Sequence, residues 1–186
     1  ARQVFVANPD APISAVAERA GVGISALYRR YRSKDDLLAR LCADGLAHYT
    51  ADVERALASG ADAWTAFAGF MRRVVEADTH SLTLRLAGTF TPSGHLFEDS
   101  ARASDLTAEL LERVRADGAI RPEIVVEDLS FIFEQLAAVR VNDPDRTREL
   151  RQRYLRLMLD ALRMTDAPSL PGSPPRWDEI SSRWDR

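Results

Sequence analysis

Residues 13–34, ISAVAERAGVGISALYRRYRSK, leave the backbone few alternatives. Ile13, Val16, Ala17 and Ala20 recur at i, i+3, i+4, i+7, the spacing that places side chains on one face of an α-helix, while Glu18 and Arg19 fall on the other. Asp10 and Pro12 are expected to open that helix, the Asp by accepting orphan amide hydrogens and the Pro by losing nothing in a first turn. Gly21 ends it, because glycine takes the left-handed backbone on which helices commonly terminate, and Val22 is expected to pack back into the corner. A second short helix follows from about Ile24 to Tyr31, anchored inward by Leu27 and Tyr31. Ser33 reads as the N-cap of a third, with Asp36 placed to reach back as in a capping box, and Leu37, Leu38, Leu41 and Leu46 extend the apolar stripe. Two short helices hinged at a glycine and backed by a long one form a compact helical unit.

The outer face of the second helix carries small residues, Ser25 and Ala26, and then cations, Arg29 and Arg30. Arg29, Arg30, Arg32 and Lys34 contain no acid among them, although the chain as a whole has a formal net charge of -3. A helix approaches base edges only where its side chains are small or hydrogen-bonding, and Arg bonds guanine bidentately or holds phosphate. Lys34 stands at a helix N-terminus beside Asp35 and Asp36, where the helix dipole disfavours a cation and a nearby phosphate would account for it. A helix, a tight turn and a helix in this order can lay the second helix into the major groove of DNA. Taken alone, the segment would equally serve as an ordinary helix corner with a solvated cationic face.

Ile13 to Leu38 resembles the DNA-binding domain of TetR-family transcriptional regulators, whose pattern runs helix, Ala-Gly-Val turn, Leu-Tyr-Arg, a basic or histidine position, an aromatic, then Ser-Lys. The matching residues are Ala20, Gly21, Val22, Leu27, Tyr28, Arg29, Arg30, Tyr31, Ser33 and Lys34. The resemblance implies Tyr28 and Lys34 as phosphate contacts and Ser25, Ala26 and Arg30 as groove-facing positions; the full DNA-contacting set expected is Gly23, Ser25, Ala26, Tyr28, Arg29, Arg30, Arg32 and Lys34. Ala26 stands where family members usually place Thr, and Arg30 where they commonly place His, so base preference at those positions does not transfer. The family's first helix should precede this segment, and ARQVFVA, with Val4 and Phe5 as core residues, is the part of it expected here. Its N-terminal end is expected to be truncated, with a further piece, often basic in such proteins, missing or disordered.

The remainder also reads as helix. The chain has 186 residues, 46% of them hydrophobic, enough for one sizeable core or a small domain beside a larger one. Long periodic segments separated by short Gly, Pro and Asp clusters argue for an all-α protein, and none is long and apolar enough to span a bilayer. The expected order after the third helix, which runs from Lys34 to about Ala58, is 61–77, a shorter segment with Leu82, Leu84, Leu86 and Phe90, then 96–116, 125–139 and 144–163. This gives a TetR-like division into a three-helix N-terminal domain (1–50), a helical effector-binding and dimerisation domain (51–164) and a Pro-rich tail (165–186), in which Trp177, Ile180 and Trp184 are spaced for one amphipathic turn. The single cysteine, Cys42, reads as a small core residue and fits a reducing cytoplasm.

Leu129, Ile132, Phe133 and Leu136 on one late helix, and Leu150, Tyr154, Leu157 and Met158 on the next, give wide apolar faces. They would complete the core of one chain or pair two chains. By resemblance, the two C-terminal helices would form a four-helix bundle in a homodimer, which would present two reading heads to a palindromic operator in double-stranded DNA. Trp64, Phe67, Phe70, Met71, Leu86, Phe90 and Phe97 come from successive helices; such stripes are core by default, and the resemblance implies an effector cavity for a small apolar molecule among them. The GAIRP stretch at 118–122, followed by Asp128 and Leu129, looks like the ligand domain of actinobacterial members. His48, His80 and His95 lie in no metal-ligand spacing, and no nucleophile elbow, P-loop or dinucleotide fingerprint occurs, so no catalytic residue, metal or cofactor is expected. A ligand-released repressor is the function so implied, and a helical protein-binding adaptor is its rival.

Overall fold

The computed structural model describes residues 1–78, 80, 86, 90, 94–164, 166 and 168–182. Among them the chain is all-α, in the order α1 (Arg2–Ala7), α2 (Ile13–Ala20), α3 (Ile24–Arg30), α4 (Lys34–Leu57), α5 (Ala63–Ala77), α6 (Gly94–Ala116), α7 (Val126–Ala138), α8 (Pro144–Leu162) and α9 (Trp177–Ser181). Leu82, Leu84 and Trp184, named above, lie outside the described residues.

Local chemistry accounts for most of the helix ends. Gly21 closes α2 at φ 65, and the amide of Val22 returns to the carbonyl of Ala17 at 3.0 Å. The Val22 side chain itself is 44% exposed: the corner is closed by its N–H and not, as expected from sequence, by its packing. The opening of α2 also differs. Pro12 occupies the N-cap, no side chain caps the helix, and the amide of Asp10 instead donates to Asn8 Oδ1 at 3.0 Å. At α4 the Ser33 hydroxyl accepts from the Asp36 amide at 3.1 Å, while the Asp36 carboxylate accepts from the Arg32 amide at 2.9 Å, one residue before the position a capping box would use. Asp62 caps α5 by accepting from the Thr65 amide at 2.9 Å, a bond that holds its carboxyl below the usual range. Asp143 accepts from the amides of Asp145 and Arg146, with Pro144 in the first turn of α8.

Two apolar clusters form. Phe5, Ala11, Ile13, Val16, Leu37, Leu38 and Cys42 make the core of the N-terminal head, and Leu86 and Phe90 join it from far along the chain. Burial there pushes the Cys42 thiol up to about 12, so it stays protonated and inert. The second cluster takes its largest members from α5 (Phe67, Phe70, Met71), α6 (Leu110, Val114), α7 (Leu129, Phe133, Leu136) and α8 (Leu155, Leu159). α4 serves both clusters, contributing Leu37, Leu38 and Cys42 to the first and Val53 and Ala56 to the second. At 24 residues it is about 36 Å long, enough to carry the head on the body.

Polar ties fasten α4 to its neighbours. Asp52 accepts from Arg73 Nε at 2.9 Å, Arg113 donates to the carbonyl of Leu57 at 2.5 Å, and Tyr49 shares a 3.0 Å hydroxyl contact with Thr107. Burial drives the Tyr49 hydroxyl up to about 12 against that hydrogen bond. The tail returns along the loop before α7: Arg121 and Leu162, then Met164 and Ala119, bond through their backbones around the isolated antiparallel bridge Ile120–Arg163, and Arg121 reaches the carbonyl of Pro168 at 2.5 Å.

Candidate nucleic-acid interface

The glycine corner and the α4 cap fix where α3 sits, and its own sequence fixes which face it shows. Leu27 and Tyr31, four apart, pack against the head core. The opposite side is open: Gly23, Ser25, Arg29, Arg30 and Arg32 are exposed, Tyr28 is 52% exposed, and Ala26 is half-buried. The structure therefore brings seven of the eight sequence-named residues to one solvent-facing surface around α3.

That surface gathers several cations close together. Several surface arginines elsewhere are paired with carboxylates, as in Arg40 with Asp44 at 3.0 Å, Arg102 with Glu54 at 2.7 Å and Arg156 with Asp160 at 3.0 Å. Among the described residues no carboxylate pairs with the guanidinium of Arg29, Arg30 or Arg32; Arg30 lies 5.7 Å from the Tyr31 ring centroid, and it is the Arg32 amide, not its side chain, that Asp36 holds. Three unneutralised guanidinium groups beside a phenol and small residues can bond phosphate oxygens and base edges.

Lys34, the eighth, is placed differently. Its ammonium donates to the carbonyl of Pro9 at 3.0 Å and sits 5.5 Å from the Phe5 ring centroid, half-buried between the start of α4 and the α1–α2 connection. Sequence spacing could not reveal this bond, since Pro9 is 25 positions away and offers only a carbonyl.

The aromatic and Met residues considered for an effector cavity separate into three places. Phe67, Phe70 and Met71 are wholly buried in the body core, with Trp64 at its edge under the Arg163 guanidinium at 4.8 Å. Leu86 and Phe90 belong to the head core, and Phe97 is 47% exposed. A small open cleft is lined instead by Val74, Val75, Asp78, His80, Phe133, Leu136, Ala137 and Arg151. The space that it encloses has room for about one water, far short of a small-molecule site. His80 lies 4.7 Å from the Phe133 ring and 6.0 Å from Tyr49; burial pulls it down to about 4 against the opposing charge of Asp78, so it is neutral near pH 7.

Of the residues considered for a subunit interface, Leu129, Phe133 and Leu136 point into the chain's own core. Ile132, Leu150 and Met158 are half-buried, whereas Tyr154 is 44% and Leu157 57% exposed. The 3.6-residue period decides this split: each helix offers one face to its own core and only the other to a second chain. His48 Nδ1 donates to the Asp44 carbonyl at 2.6 Å, and His95 meets Glu98 on the surface. Among the described residues no group of three His, Cys, Asp or Glu is placed to hold a metal, and no helix is long and apolar enough to cross a membrane.

Comparison with known proteins gives the same picture. Residues 1–41 match the family described as bacterial regulatory proteins, tetR family. No curated protein sequence matches the chain. Among solved structures, the TetR transcriptional regulator SCO0520 from Streptomyces coelicolor is similar at 26% identity, covering 88% of this chain and 94% of that one, with a TM-score of 0.61. The ketosteroid transcriptional regulator KstR2 of Mycobacterium tuberculosis (17% identity, 88% and 91% covered, TM-score 0.64) and the TetR family regulator PfmR from Thermus thermophilus (19%, 86% and 94%, TM-score 0.60) share the fold. The N-terminal head of this chain is thus of the tetR type, and over most of its length the chain shares the architecture of TetR transcriptional regulators.

Proposed function

We propose that the protein is a homodimeric repressor that occupies a palindromic operator through two copies of α3 and leaves it when a small apolar effector binds the body. The observation that carries the reading is the exposed face of α3, where Arg29, Arg30 and Arg32 stand together with no carboxylate partner among the described residues. Gly23, Ser25, Ala26 and Tyr28 complete the proposed contact set, with Tyr28 on phosphate and Ser25, Ala26 and Arg30 in the groove. Lys34 serves it by holding the start of α4 to the α1–α2 connection, its remaining ammonium hydrogens directed at phosphate.

One seven-residue helix discriminates poorly between sequences, and two related by a two-fold axis read twice as many base pairs. Leu150, Tyr154, Leu157 and Ala161 recur along one side of α8, and this stripe supports pairing of two chains there. We divide the chain accordingly into a reading head within residues 1–50, a body within 51–164 and a tail, and place its action in the cytoplasm, where bacterial DNA is. The effector acts by favouring a dimer whose heads are spaced wrongly for successive major grooves, so DNA affinity falls by the coupling energy between the sites.

Enrichment of bound duplexes from a random library tests the reading, with sedimentation of the protein and its complex. Two inverted half-sites about 10 base pairs apart and two chains per duplex are expected. Enrichment of no sequence, or a single chain on an asymmetric site, overturns the dimeric reading, and absence of any duplex binding favours a protein-binding adaptor.

A further inference from the structure

The body and the head meet at Asp78. This residue caps α5 with φ 52 and is the one non-glycine among the described residues in the left-handed region. Its backbone carbonyl accepts a hydrogen bond from Arg2 of α1, and its carboxylate pairs with Arg151 of α8 at 2.6 Å. Arg151 in turn donates to the carbonyls of Ala137 at 2.9 Å and Val139 at 3.1 Å, at the end of α7. The Arg151 side chain is only 8% exposed although it carries a charge.

Two arginines thus converge on one helix terminus. The last carbonyls of a helix have no partner within it, and that end carries partial negative charge, so cations there are favoured. The left-handed turn at Asp78 lets its carbonyl and its carboxylate be used in different directions, one by the head and one by α8. We infer that Asp78 is a positioning residue for DNA reading: by joining Arg2 to Arg151 it sets the angle of the head on the body, in series from α8 through α5 to α1.

Other attachments also join head and body. α4 carries the head and is itself fastened to α5 and α6. Leu86, Phe90 and Leu96 also pack against the head core. The Asp78 link adds to them a directional hydrogen bond and an ion pair away from α4. The inference goes beyond the proposed function and needs neither a second chain nor an effector.

The test measures head orientation within one chain. Spin labels on Glu18→Cys in α2 and Glu109→Cys in α6, both exposed, in a Cys42→Ala background and diluted with unlabelled chain, report the head-to-body distance. The parent protein is expected to give one narrow distance. Asp78→Asn keeps a residue that tolerates the left-handed backbone while removing the charge, and Arg2→Gln cuts the other link. Each is expected to replace the narrow distance with a broad, shifted distribution, and the double variant to add nothing further, as expected for two links in series. Arg156→Gln, whose pair with Asp160 lies on the surface of the same helix, should leave the distance unchanged. If Asp78→Asn fails to fold by circular dichroism, Arg2→Gln, on a half-buried N-terminal residue, decides alone. An unchanged distance in Arg2→Gln, or single effects that add in the double variant, overturns the inference.

Discussion

The sharpest quantitative consequence of the α3 surface is a salt dependence that singles out particular arginines. Each phosphate neutralised on duplex DNA contributes about 0.9 to the slope of log affinity against log salt. In a dimer a substitution removes the contact twice, so Arg29→Gln, Arg30→Gln or Arg32→Gln should each flatten the slope by about 1.8 if that side chain holds phosphate. Between about 50 and 200 mM salt this is a difference of about 12-fold in how much affinity is lost. Arg40→Gln supplies the control, because it changes net charge equally while its guanidinium is already paired with Asp44 at 3.0 Å. Fluorescence anisotropy with a labelled duplex of arbitrary sequence suffices, since backbone contacts do not depend on sequence. A change of about 0.9 instead of 1.8 would mean one head per duplex. If Arg40→Gln flattened the slope as much as the α3 arginines, or none of those three altered it, the assignment of this surface to DNA would fail.

Four further outcomes are open to measurement. Leu157→Glu, on a side chain 57% exposed in the single chain, should yield monomers in sedimentation while shifting the chain's own stability by no more than about 0.5 kcal/mol; a persisting dimer would place the interface elsewhere. Ser33→Ala removes the acceptor for the Asp36 amide and should cost about 1 kcal/mol, seen as faster amide exchange in the head than in the body. Gly21→Ala meets no atom within 4 Å, so its cost, about 1 kcal/mol, is purely that of φ 65, and Gly21→Asn should recover part of it in denaturant titrations. His80, with a folded value of about 4 against an ordinary 6.5, stays neutral where the unfolded chain takes up a proton. Stability should therefore fall as pH drops from about 6.5 toward 4, by at most about 2 kcal/mol at about pH 5, and His80→Gln should remove that share of the decline in urea midpoints.

Helix existence and most helix limits were legible from local rules. Gly21 ended α2, Ser33 capped α4, and the stripes of α5 through α8 appeared where their periodicity placed them. The cationic face of α3 was legible too, because Leu27 and Tyr31 leave their neighbours nowhere to point but outward. Pairings across long separations were not. Nothing in the spacing of Leu86 and Phe90 assigns them to the head core instead of the body, and an apolar stripe on α7 looks the same whether it meets α5 or another chain. One signal was present and unused: Arg151 shares the buried stripe of Leu155, Leu159 and Leu162, and a cation on such a stripe calls for a buried partner.

What the residues determined alone is therefore one-dimensional: where helices start and stop, which face of each is apolar, and that α3 carries charge outward, since these follow from backbone conformation and a period of 3.6. What the tertiary structure decided is which faces meet: Asp78 between Arg2 and Arg151, Lys34 on Pro9, and Tyr154 and Leu157 left in solvent. Contacts between residues tens of positions apart depend on how whole helices pack, and no local energy specifies that.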